Sequence, residues 1–169
     1  MVLPVEAVSR FAVDVFGCNV MPNHLRLLLR QRSEGASAAA LRRVSGGSAC
    51  HYRRTASTVG LGHVCQRRFW SPVISDEQHY VTGLRYVEDN ARQGAVVRRA
   101  EDWQWGSLWE RVTGGRRVLA PSLVQLPENR VELVSQGLSE ADLKPFRSPT
   151  LDRTAGPVPV ESRTGTCPG

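Results

Sequence analysis

Residues 11–30 read FAVDVFGCNVMPNHLRLLLR, and the pattern of this stretch decides the fold class. The first half, residues 11–20, is rich in β-branched and aromatic side chains with partial alternation, which predicts a strand. Met21-Pro22-Asn23 interrupts it, because proline has no N–H for a ladder and restricts the residue before it. A second strand is expected over residues 24–30. Side chains alternate along a strand, so Leu25, Leu27 and Leu29 fall on one face and His24, Arg26 and Leu28 on the other.

Moving outward, residues 4–10 read as the end of a helix, and residues 36–57 as partly helical with an interruption at Gly46-Gly47. Gly60 and Gly62 mark a loop, and residues 67–74, RRFWSPVI, read as a further extended segment. The clearest helix follows. Ser75 is the expected N-cap, with Gln78 completing a capping box and Asp76 and Glu77 at the positive end of the dipole. It is expected to run to about Arg92 and stop near Gly94. Beyond Gly114-Gly115 the pattern weakens, apart from Ser139 and Asp142, which predict one more short capped helix. Residues 148–169 contain four prolines without an apolar period, and predict a disordered tail.

The chain of 169 residues is 41% hydrophobic and 22% charged, a composition that excludes a disordered or membrane-embedded protein. With no apolar run of bilayer length and no leader pattern at the N-terminus, a cytoplasmic location is expected. The net charge is +6, and Lys144 is the only lysine among 22 basic residues. Guanidinium groups hold phosphate oxygens in a bidentate fork, so this bias suits a nucleic-acid partner, as it also suits a plain solvated surface. Cys18, Cys50, Cys65 and Cys167 form no disulfide framework, and Cys50-His51 with His63 and Cys65 matches no standard zinc spacing.

Two places carry chemistry. On the second strand, His24 and Arg26 share a face, where two histidines would offer paired ligands to a metal ion. A guanidinium has no lone pair to give. On the helix, Tyr80, Val81, Leu84 and Val87 form the core-facing stripe, and Tyr86 lies roughly 140° from its middle. Asn90 is one turn further along on nearly the same side, and Gly83 removes bulk beside the tyrosine. Tyr86 is therefore either a packing residue of a second face or a reactive one. A phenol attacking phosphorus forms a phosphotyrosine ester close in energy to the phosphodiester consumed, so such a step is reversible.

The segment FGCNVMPNHLRLLL, residues 16–29, resembles the "AYVVMPNHVHLLL" core of the REP-associated tyrosine transposases, members of the HUH single-strand nucleases. Residues 62–108 resemble that family's second signature, which runs from "GHLWQGRF" through "LRYIERNPVRAGLV" to "DWPWSS". Order and spacing agree over residues 6–112. The resemblance implies a transposase-like domain over residues 1–112, a divergent extension over 113–147 and the tail over 148–169. It also implies an α+β fold, a ferredoxin-like antiparallel sheet with helices on one face, lacking the family's first strand. Tyr86 matches the nucleophile, which leaves a 5′-phosphotyrosine and a free 3′-OH. His24 matches the first histidine of the metal pair, and Asn90 the polar residue that completes a site for Mg²⁺ or Mn²⁺. Trp103 and Trp105 match tryptophans expected to pack.

Single-stranded or hairpin DNA is the implied partner, in a homodimer and away from membranes. Arg26 stands where the second histidine belongs, so it is expected to meet DNA phosphate rather than metal, and Ala91 replaces a proline. The sequence thus leaves three readings: a strand-cleaving and rejoining transposase, active or with a metal site decayed at Arg26, the decayed form being favoured; a non-catalytic DNA-binding protein derived from one; or a non-functional fragment.

Overall fold

In the computed structural model, which describes residues 10–22, 24–55, 71–115 and 119–146, the opening stretch folds as expected. Strand β1 spans Val13–Val20 and β2 spans Leu25–Gln31, paired antiparallel. The fold is α+β, with one two-stranded sheet and several helices among the described residues. The register runs from Val13 opposite Gln31 to Val20 opposite Leu25, and shifts between Val15 and Gly17. This bulge places Phe16 and Gly17 on one side of the sheet, so apolar side chains serve both faces of β1.

The expectation of helices on one face is corrected here, because the hairpin lies between two. Helix α1, Ala36–Thr55, presents Ala36, Ala40 and Val44 to Val13, Val15 and Cys18, with Leu25 and Leu27 packed alongside. Its small residues at i, i+4 and i+8 allow close approach. Helix α2, Glu77–Glu88, covers the opposite face, where Tyr80, Leu84 and Val87 pack on Phe16 and Leu28. A Cβ on Gly17 would lie 2.7 Å from the Leu84 Cδ1 atom, so a larger residue here would require the Leu84 side chain to move.

Other boundaries also shift. Helix α1 continues through Gly46-Gly47; glycine costs a helix interior about 1 kcal/mol without breaking it. The cap of α2 is Asp76, not Ser75: its carboxylate accepts the His79 N–H at 2.8 Å. Ser75 instead donates its hydroxyl to Asp76, and the carboxylate one position on takes the capping role. The helix pauses at Asp89 and resumes as α3, Asn90–Gln93. Of the extended segment expected at 67–74, residues 71–74 form no strand and the remainder lies outside the described residues. The helix end before residue 10, the loop of Gly60 and Gly62, the paired Cys-His idea and the tail of 148–169 also lie outside them.

The free edge of β1 is covered. Val20 N–H donates to the Trp105 carbonyl at 3.1 Å, and Ala120 N–H to the Val15 carbonyl at 2.8 Å. The Trp103 indole donates to the Val20 carbonyl at 3.0 Å, which gives this partly buried ring a packing and tethering role. Helix α4, Ser107–Thr113, follows, and its Arg111 donates to the Phe16 carbonyl. The segment after residue 113 then supplies α5, Arg130–Ser135, and α6, Glu140–Leu143. Ser139 caps α6 by accepting the Asp142 N–H at 3.2 Å, as its spacing predicts. No described helix is long and apolar enough to cross a membrane.

Candidate functional site

The second strand turns His24 and Arg26 toward the side of the sheet that α2 covers, as the period of two requires. There they meet the two residues singled out on the helix. The Arg26 guanidinium lies over the Tyr86 ring, 4.3 Å from its centroid. The Asn90 Nδ2 atom stands 2.8 Å from His24 Nε2, and the Arg26 Nε donates to the same nitrogen at 3.4 Å. Residues 24, 26, 86 and 90 thus form one contact set drawn from the start of β2, from α2 and from α3.

An arginine Nε only donates, so His24 Nε2 is the acceptor of the Arg26 contact; toward Asn90 the donor and acceptor follow the imidazole tautomer and the amide orientation. Partial desolvation lowers the His24 imidazole below its usual range; the Asn90 side chain opposes this and the Arg26 charge adds to it.

Tyr86 is 8% exposed. On the side away from Arg26 its ring stacks on Phe146, with centroids 5.3 Å apart and planes at 25°. Leu143 and Phe146 bury it together, with Ile74 and Leu138 alongside. The space that Gly83 leaves is taken by the same ring, since a Cβ there would lie 3.1 Å from Phe146. The tyrosine turned away from its own helix's core is therefore packed by a second, smaller one.

No family model, no curated protein and no solved structure matches this chain. Its chemistry is read from these side chains.

A divalent ion is a poor fit to them. Among the described residues no three of His, Cys, Asp or Glu come together. The Nε2 atom of His24 is already engaged by Arg26 at 3.4 Å and by Asn90 at 2.8 Å. An ion on that nitrogen would also meet the guanidinium, and a 2+ and a 1+ charge about 4 Å apart repel by roughly 8 kcal/mol at an effective dielectric near ~20.

Sequence reasoning missed the carboxylate behind the site. Glu88, 1% exposed, accepts from Ser107 Oγ at 3.1 Å, Arg111 Nε at 3.2 Å and Arg130 Nη2 at 2.5 Å. Its backbone carbonyl faces Asn19 Nδ2 at 3.4 Å. A buried carboxylate needs such partners, yet its partners lie far along the chain, so only the off-pattern charge at the end of α2 hints at it. Next to it, Asp89 holds Arg92 through bonds of 2.5 and 2.7 Å. These pairs fix the α2–α3 junction that carries Tyr86 and Asn90.

Proposed function

We propose that this chain is a transposase-like protein that acts on single-stranded or hairpin DNA, with Tyr86 as the group that attacks phosphorus. The observation that supports the reading is the contact of His24 and Arg26 with Asn90 and Tyr86, two pairs named from two separate stretches of the sequence. The motif order across residues 16–108 and the arginine-rich charge support it. On this reading the hairpin and its flanking helices belong to an α+β domain of the HUH type, able to pair as a homodimer. The phenol oxygen bonds to phosphorus and the bond from phosphorus to the 3′ oxygen breaks. The phenolic proton passes to solvent and the leaving oxygen takes one up, giving a 5′-phosphotyrosine and a 3′-OH.

A second reading is favoured by the packing of Tyr86 under Phe146 and by the guanidinium at position 26. It is a DNA-binding protein of transposase descent that holds a strand without cutting it. One experiment separates the two. Hairpin-bearing single-stranded DNA is incubated with the protein in Mn²⁺ and in chelator, and covalent adducts are resolved on a denaturing gel. The first reading expects an adduct that Tyr86→Phe abolishes, and an adduct unaffected by that change sinks Tyr86 as nucleophile. Salt-sensitive binding without any adduct, unchanged in Tyr86→Phe, establishes the second.

A further inference from the structure

The corner formed by His24, Arg26 and Asn90 has donors suited to an oxyanion. Arg26 and Asn90 both present N–H groups there, and both turn one toward His24 Nε2. The guanidinium carries a permanent charge at the point where a second imidazole would otherwise help to hold a cation. Its position is fixed from two directions: the Tyr86 ring lies against its face, and the imidazole receives its Nε–H. Stacking engages the face of a guanidinium, whereas its N–H bonds lie in its plane, the geometry that meets phosphate oxygens.

We propose that Arg26 takes the place of a divalent cation in this site, so that the His24–Arg26–Asn90 corner binds a phosphate of single-stranded DNA without metal. The proposal rests on the DNA reading above and assigns the charge at its centre to the chain itself. A phosphate on Arg26 lies beside the ring of Tyr86, because the guanidinium is already stacked there. Asn90 contacts the imidazole at 2.8 Å and the imidazole receives the Arg26 Nε–H, which makes Asn90 and His24 positioning residues for the guanidinium.

The test uses the full chain and two readouts. Free Mn²⁺ is followed by electron paramagnetic resonance as protein is added, with no DNA present. Binding of a fluorescently labelled oligothymidylate is followed by anisotropy, once in EDTA and once in Mn²⁺. The wild-type protein is expected to leave the Mn²⁺ signal unchanged and to bind the oligonucleotide equally in both buffers. Arg26→Gln is expected to weaken that binding roughly tenfold, the loss of one charged hydrogen-bonding group. Arg26→Lys keeps the charge without the fork and is expected to fall between; circular dichroism confirms that both variants fold. Uptake of Mn²⁺ by the wild type that His24→Ala removes, or tighter binding in Mn²⁺ than in EDTA, overturns the inference while the DNA reading stands. Arg26→Gln binding as tightly as the wild type also overturns it. Failure of the wild type to bind in either buffer removes the DNA reading and this inference together.

Discussion

At Ala95 the backbone φ is 54°, in the left-handed region where a Cβ meets the following carbonyl. The reason lies in how α3 ends. Val96 N–H donates to the Ala91 carbonyl at 3.0 Å and Ala95 N–H to the Arg92 carbonyl at 3.0 Å, the paired bonds of a Schellman motif with Ala95 at C′. The adjacent glycine, Gly94, sits one position early at φ −80, a backbone angle open to any residue, and its lack of a side chain instead makes room for Met21. Ala95→Gly should therefore relieve strain, less the extra chain entropy of glycine, and raise stability by about 0.5–1 kcal/mol. Urea denaturation of the two proteins checks this, and an unchanged or lower midpoint contradicts it. The same residue scale governs Tyr86: it keeps its ring contacts with Arg26 and Phe146 in Tyr86→Phe, so that variant tests the hydroxyl without dismantling the packing.

Helix α2 illustrates what an element discloses in its own sequence. Its stripe of Tyr80, Leu84 and Val87 was legible because the apolar period is local, and so was the α6 cap at Ser139. The alternation that puts His24 and Arg26 on one face was legible for the same reason. The cap of α2 is a residue later than its capping-box spacing implies, because Asp76 and Ser75 compete for one role and their geometry decides. That cap yields a pH prediction. The bond from the His79 N–H, then the Ser75 hydroxyl, lowers the Asp76 carboxyl below its ordinary 3.8. A depressed carboxyl stabilises the fold above its unfolded value, and this contribution fades as pH falls through the folded one. Asp76→Asn should thus flatten the acid limb of stability below about pH 4, leaving the neutral range with only the smaller loss of a neutral cap. Melting curves across pH 2–7 read both; parallel acid limbs in the two proteins would refute the assignment. What the local period could not disclose is anything settled by distant partners: the bulge at Phe16, the helix on each face of the hairpin, the α5 segment and the burial of Glu88.

Across the whole molecule, the segment 119–146 packs into the same apolar clusters as the hairpin and its helices. It contributes Leu119 to the cluster under α1, Val124 and Leu126 to that under α2, Val134 to that around Leu108, and Leu143 and Phe146 to that around Tyr86. Glu88 ties the same parts by charge, joining α2 to Arg111 of α4 and Arg130 of α5. Removing that carboxylate leaves two largely buried guanidinium groups facing each other, so Glu88→Ala should cost about 3–5 kcal/mol in denaturant unfolding; a loss below about 1 kcal/mol would mean that water replaces the bridge. The extension also determines access to the site, because Phe146 covers the face of Tyr86 opposite Arg26. Phe146→Ala should cost about 3 kcal/mol and open that face. Nitration by tetranitromethane, mapped by mass spectrometry, gives the readout with an internal reference. Tyr80 is 4% exposed and packs against Phe16, away from the extension's last turn. In Phe146→Ala, nitration of Tyr86 should rise several-fold while Tyr80 stays protected, which places the change at the site and not in global unfolding. Equal protection of Tyr86 in both proteins would mean that Leu138 and Leu143 cover it without Phe146, and that the final aromatic ring does not govern access to the phenol.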